Sequence, residues 1–151
     1  MRPIEIRTAA PEDAPGLVPL LATLGYPTPA PVIAERIRAL RDIDPSGTIL
    51  LAVREGQILG FATLHATPVL HRPTAVGRIT GVAVTADAQG SGVGRLLVAA
   101  AERSFVDQGV SRIEITSGPT HLGAHDFYRH LGYEDQGVRF AKPLAPRSTT
   151  D

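Results

Sequence analysis

The chain has no cysteine among its 151 residues, which removes disulfide frameworks, thiol nucleophiles, zinc fingers and iron–sulfur ligation together. That absence is compatible with a reducing cytoplasm. It also lacks an excess of either charge, because its 15 basic and 15 acidic residues cancel. No domain-wide field is available to hold a nucleic-acid backbone or an anionic membrane, so neither is expected as a partner. No uninterrupted apolar run is long enough to span a bilayer, and Met1 to Thr8 alternates apolar and polar residues instead of forming a signal-peptide core. A soluble, cytoplasmic protein is expected. What is present is ordinary globular material, 43% hydrophobic and 20% charged, in a length that fits one domain with a self-sufficient core.

Alternation at Ile4 to Arg7 predicts a short strand, and Thr8 ahead of Pro11, Glu12 and Asp13 suits the start of a helix. Leu17, Leu20, Leu21 and Leu24 share one face of that helix, with Pro15, Gly16 and Pro19 delaying or kinking it and Gly25 closing it. After a proline-rich connector, Tyr26 to Pro31, the residues Val32, Ile33, Ile37 and Leu40 define a second amphipathic helix, ended by Asp44, Pro45, Ser46 and Gly47. Thr48 to Val53 and Ile58 to His65 flank Arg54-Glu55-Gly56-Gln57, which predicts an antiparallel hairpin. A proline-bearing loop, Ala66 to Ala75, precedes a strand from Gly77 to Val84. A glycine turn and a helix from Val93 to a stop at Gly109 follow. The strand Val110 to Thr116, a short helix from about Leu122 to Leu131 and a last strand, Val138 to Lys142, complete the pattern. This order predicts an α/β mixed sheet with helices on both faces.

The informative stretch runs Val82-Ala83-Val84-Thr85-Ala86-Asp87-Ala88-Gln89-Gly90-Ser91-Gly92-Val93-Gly94-Arg95. Gly90, Gly92 and Gly94 allow close approach of a ligand and positive φ, and the following helix offers unpaired N–H groups and the positive end of its dipole. Anionic phosphate suits such a place, although glycines at this spacing also serve a plain tight turn. A Walker loop is excluded, because Gly94 is followed by Arg95 and Leu96 where Lys and Ser or Thr are required. A dinucleotide fingerprint needs glycine where Arg95 stands; Glu114 lies at about the right distance for a ribose-binding acid, so that alternative stays open as the runner-up.

At these residues the chain resembles the GNAT acyltransferase superfamily, whose signature Gln/Arg-x-x-Gly-x-Gly/Ala is matched by Gln89-Gly90-Ser91-Gly92-Val93-Gly94. A second motif of that family, Ala then Phe-Tyr then Leu-Gly-Tyr/Phe, is matched by Ala124 to Tyr133. The order of elements resembles the family from Ile4 to Leu144. The resemblance implies one domain over residues 1–144, with 145–151 a frayed tail, built on a mixed, mostly antiparallel sheet of about six to seven strands. It implies acetyl-CoA as acetyl donor, with the pantetheine arm along Val82, Ala83 and Val84. The amides of Gln89, Gly90, Ser91, Gly92, Val93, Gly94 and Arg95 would hold the pyrophosphate. Family precedent also implies a homodimer.

Acetyl transfer to an amine needs a neutral nucleophile, and neutralising an alkylammonium of pKa about 10.4 at neutral pH costs about 4 to 5 kcal/mol. A base, directly or through water, and a proton donor for the thiolate are therefore expected. By resemblance Tyr128 is the general acid, while Phe127 beside it is a core residue. Two positions depart from the family: His121 stands where many relatives carry Asn, and Arg78, Ile79, Thr80 and Gly81 occupy the strand where relatives often place a Glu base. Candidate bases are His65 at a strand end, His121 near the second motif, and Glu114 acting through water; each also suits a plain structural or solvated role. His121 and His125 are spaced for a metal but lack a third ligand, so no metal is expected. In the resembled fold the acceptor enters beside Tyr26 to Pro31 and about Asp135 to Gly137, where Tyr26 could stack on it. With no acidic cluster to mark a polycation, a small-molecule primary amine is expected, against the alternatives of a protein or peptide amine and of a non-catalytic coenzyme A sensor.

Overall fold

A computed structural model describes residues 2–116, 122–137 and 139–146 of the chain. Its contacts gather into two compact units, Met1–Thr116 and Ser117–Asp151. Among the described residues no helix is long and apolar enough to cross a membrane.

The first unit is a sheet with helices on both faces. Strand β1 (Glu5–Thr8) leads through a 3₁₀ turn, Pro11–Asp13, into helix α1 (Ala14–Thr23) and then helix α2 (Ala30–Ile43). Strands β2 (Thr48–Arg54), β3 (Gln57–Thr67) and β4 (Val76–Val84) follow, then helix α3 (Val93–Asp107) and strand β5 (Arg112–Ile115). Spatial order follows chain order, β1-β2-β3-β4-β5. Neighbours pair antiparallel except β4 and β5, which are parallel and joined by the helical crossover that such pairing requires.

Local chemistry accounts for the joints. Arg7 donates to both carboxylate oxygens of Asp13, at 2.9 and 2.8 Å, and Asp13 also accepts from the Ala10 amide at 2.8 Å. The helical start therefore rests on Asp13; Thr8 stays in the ladder opposite Leu50. Pro19 sits inside α1 on its exposed side, and the helix closes at Gly25 (φ 94°), where the Tyr26 amide reaches back to the Leu21 carbonyl at 2.9 Å. The β2–β3 hairpin turns at Glu55 and Gly56, both at positive φ, with Arg54 opposite Gln57, the conformation that a two-residue type I′ connection demands.

Alternation along the strands sorts the apolar side chains onto the two faces. Leu51, Val53, Phe61 and Ala83 pack with Leu17 and Leu20 of α1 and Ile33 and Ile37 of α2. Ala52, Ala62, Leu64 and Ile79 pack with Val93, Leu97, Ala101 and Phe105 of α3. Helix α3 comes close because β3 and β4 present glycines to it. A Cβ on Gly60 would stand 2.8 Å from the Ala83 carbonyl and 3.2 Å from Val93 Cγ1, and one on Gly77 would stand 2.9 Å from the Phe105 ring.

The second unit holds helix α4 (Leu122–His130). The expected last strand, Val138 to Lys142, is not formed: Val138 lies outside the described residues, and 139–142 have no regular structure. Phe140 is 92% exposed, so its side chain buries no apolar surface that would hold a short edge strand. The described sheet thus has five strands, not six to seven.

Gly77→Ala is expected to cost about 1–3 kcal/mol in urea unfolding through overpacking against Phe105; unchanged stability would mean that α3 does not press on β4 there. The Arg7 hydrogen bonds, ahead of the coulombic attraction, hold the Asp13 carboxylate below its ordinary 3.8. Its contribution is complete above that value and is lost as pH falls through the lower folded pKa. Asp13→Asn should therefore flatten the fall of Tm below about pH 4, which thermal melts across a pH series would measure.

Candidate functional site

Strand β4 changes neighbours along its length. It pairs with β5 from Val76 to Ile79, and among the described residues no strand continues that edge beyond the Ile79–Ile115 pair. On its other edge the register with β3 shifts, with Thr63 opposite Gly81 but Leu64 opposite Ile79, so Thr80 is an extra residue bulged out of the ladder. Because the Thr85 amide donates to the Leu59 carbonyl at 2.8 Å, ladder alternation turns the backbone groups of Ala83 and Gly81 toward β3 and those of Val82 and Val84 away from it. Ala83 is thereby committed to the sheet and its side chain to the α1/α2 core. The Val84 carbonyl accepts from Gln89 Nε2 at 3.3 Å. Val82, and the amide of Val84, remain along a strand edge without a partner strand among the described residues.

The edge leads into the glycine turn. Thr85, a 3₁₀ turn at Ala86–Ala88, and Gln89 bring the chain to Gly90 (φ 80°) and Gly92 (φ 91°). Gly94 lies inside α3 and does not adopt the positive φ that its residue type allows. The first amide of α3 with a backbone acceptor is that of Leu96, bonded to the Gly92 carbonyl at 3.0 Å, and the Ser91 amide is spent on Ala88. The amides of Gly90, Gly92, Val93, Gly94 and Arg95 have no backbone acceptor among the described residues. Nothing lies within 4 Å of a Cβ placed on Gly90 or Gly92. Unpaired amides at the positive end of a helix, open to approach, fit an anionic diphosphate. Arg95 is exposed in the first turn of α3 and lacks an ion-pair partner among the described residues.

The candidate acid–base residues fare unequally. His65 lies on the α1/α2 side of β3, and its Nδ1 is 2.8 Å from Asp44 Oδ2. Asp44 Oδ1 accepts from Ser46 Oγ at 2.6 Å and from the Ser46 amide at 3.1 Å, and Ser46 Oγ accepts from the Ala66 amide at 3.2 Å. The Ser46 hydroxyl, then His65, hold the Asp44 carboxylate below its ordinary range. The sequence reading treated Asp44 and Ser46 only as the end of α2; the pairing across 21 positions leaves no local signal. Glu114 faces Arg78 in the β4–β5 register and stands 4.0 Å from Arg112 Nε. His121 lies outside the described residues. In the second unit Tyr128 is half-buried on α4, its ring 5.3 Å from Phe127 and 6.3 Å from Tyr133. Burial pushes its phenol pKa up, so it holds its proton through neutral pH. Tyr26 is 70% exposed. Among the described residues no group of three or more His, Cys, Asp or Glu side chains is placed to hold a metal ion.

The sequence profile of the Acetyltransferase (GNAT) family matches residues 20–133. The chain is 31% identical over 102 residues to an aminoalkylphosphonate N-acetyltransferase of Salmonella typhimurium, covering 68% of this chain and 66% of that one. It is 32% identical over 90 residues to a mycothiol acetyltransferase of Arthrobacter sp., covering 60% of this chain but only 28% of that one. Identity to an aminoglycoside N(6')-acetyltransferase type 1 of Stenotrophomonas maltophilia is 32% over 147 residues, covering 93% and 94%. The fold matches the crystal structure of a transcriptional regulator from Bacillus halodurans with TM-score 0.81 and 27% identity, over 93% of this chain and 100% of that one. The chain belongs to the GNAT acetyltransferase family.

Gly92→Ala forces a side chain into left-handed backbone, a strain of about 1–2 kcal/mol. It should weaken coenzyme A binding in calorimetric titration while leaving the sheet's far-UV dichroism unchanged; undiminished affinity would remove the turn from the binding site.

Proposed function

We propose that this protein is an acetyl-CoA-dependent N-acetyltransferase that moves an acetyl group to a primary amine of a small molecule, by direct attack within a ternary complex. The observation that supports this reading is the run of amides at Gly90 and Gly92–Arg95 without a backbone acceptor among the described residues, at the end of a strand whose outer edge has no partner strand beyond Ile79 among those residues. A strand edge can hydrogen-bond the amides of a pantetheine arm, and the helix start can hold the diphosphate at its end. Acetyl-CoA supplies an activated thioester when bound there. The small-molecule acceptor is supported by relatives that are enzymes of aminoalkylphosphonates and aminoglycosides.

Tyr128 is the proposed general acid, supported by its place in the family's second motif and by a burial that keeps the phenol protonated. In this reading it donates its proton to the departing sulfur and regains one from solvent, and the Val82 amide is proposed to polarise the thioester carbonyl. Tyr26 is proposed to contact the acceptor.

A melting-temperature rise with acetyl-CoA and with CoA, but not with NAD or ATP, together with amine-dependent thiol release, is the expected result. No rise with either coenzyme A species would overturn the proposal; a rise without thiol release from any amine would reduce the protein to a binding module. Tyr128→Phe should lower kcat about 10- to 1000-fold with the CoA dissociation constant unchanged. An unaltered kcat would exclude Tyr128 from the mechanism.

A further inference from the structure

At the level where β4 bulges the chain has Arg78, Ile79, Thr80 and Gly81, none of which is a base at neutral pH. The neighbouring strand carries an alternative. Phe61 packs on the α1/α2 side of the sheet, so Thr63 and His65 follow it on the same face of β3. Thr63 stands opposite Gly81, which has no side chain, and a Cβ there would meet only Phe61 at 3.6 Å and the Thr63 hydroxyl at 4.0 Å. A notch therefore opens beside Thr63 at the point where β4 bulges and leaves β5. His65 is the next side chain along that face, about 7 Å of strand away, a gap that an imidazole and one water can bridge.

We infer that His65 is the general base of the reaction, taking the acceptor's ammonium proton through a water beside Thr63, with Asp44 as its positioning residue. The inference rests on the N-acetyltransferase function proposed above. A carboxylate only accepts hydrogen bonds, so Asp44 Oδ2 at 2.8 Å fixes the proton of neutral His65 on Nδ1. Nε2 is left with its lone pair. Asp44 is itself held through its other oxygen by Ser46, and Ser46 is tied back to β3 at Ala66. The imidazole is thus oriented through Nδ1 by a chain of hydrogen bonds, Asp44 to Ser46 to the Ala66 amide, that returns to β3 beside it. Charged groups around it are Asp44 from the α2–β2 connection and Arg78 opposite on β4, with Glu114 beyond Arg78 on β5. Thr48 at this end of β2, and Gly47 before it, carry no charge.

Two protons leave the acceptor nitrogen. His65 takes the first, so that the amine lone pair can form the C–N bond as the C–S bond breaks, and passes it to solvent. The second leaves the acylated nitrogen for solvent, and the proton that Tyr128 gives to sulfur is replaced from solvent. The balance is one amide, one thiol and one released proton, with no oxidant or further reactant.

The test compares wild type, His65→Gln and Asp44→Asn with two kinds of acceptor: an alkylamine that turns over, and an aryl or alkoxy amine that is already neutral at pH 7. Glutamine can keep the hydrogen bond to Asp44, and asparagine the bonds to Ser46. Both variants should show the wild-type melting-temperature rise with CoA. For the alkylamine, His65→Gln should lower kcat about 100-fold or more and abolish the acid limb of the pH profile. For the neutral amine the loss should shrink below about 10-fold, because deprotonation before attack is no longer needed. Asp44→Asn should lower kcat for the alkylamine about 10-fold or more and affect the neutral amine less, since only removal of the ammonium proton needs an oriented imidazole. Equal losses with both amines, or an acid limb that survives His65→Gln, would overturn the inference while leaving the N-acetyltransferase function intact. A wild type that binds no CoA, or releases no thiol with any amine, would overturn both.

Discussion

Everything proposed for the coenzyme end of this molecule depends on how closely α3 lies against β3 and β4. Gly60 and Gly77 leave no room for a side chain between sheet and helix, so Val93, Leu97 and Phe105 rest almost on the backbone. Burying side chains of this size contributes about 1.5–3 kcal/mol each. The contact fixes the helix axis and thereby the direction of its first amides. Those amides cannot be satisfied from within the helix, and the positive φ of Gly90 and Gly92 leaves the space before them clear. A cost that most helices meet with a capping side chain is here left open to a ligand.

The opposite face has a different constraint. There the polar residues are held by bonds that cross long sequence distances: Asp44 to His65, and Ser46 to Ala66. The β4 bulge at Thr80 and the bare position at Gly81 interrupt the regular ladder where β4 and β5 cease to pair. The ladder is irregular at two levels, at Leu59 opposite β2 and at Thr80 opposite β3, and only the second coincides with the end of the β4–β5 pairing.

Much of the fold was legible because local signals and tertiary structure agree. Glu55-Gly56 named its own turn, Gly25 closed α1, and apolar spacing placed α1, α2 and α3 on their residues. The last strand failed because Val138 and Phe140 make too short a pattern to require pairing, and Phe140 stays in solvent. At the candidate site, Gln89 to Gly94 announced a glycine turn ahead of a helix, but not which glycines would turn left-handed; Gly94 was absorbed into the helix. The partner of His65 was illegible for a plainer reason. Asp44 and Ser46 look like any helix terminator, and only the fold of the first unit brings them beside β3.

The central claim is that the α3 start recognises the diphosphate of coenzyme A. Calorimetric titration of the protein with acetyl-CoA and with acetyl-pantetheine, which has the thioester arm but no diphosphate or nucleotide, tests it most directly. The account predicts saturable binding of acetyl-CoA that weakens with rising salt, and a loss of about 100-fold or more in affinity for acetyl-pantetheine, consistent with several charge-assisted hydrogen bonds forgone. Equal affinity for the two compounds would contradict it.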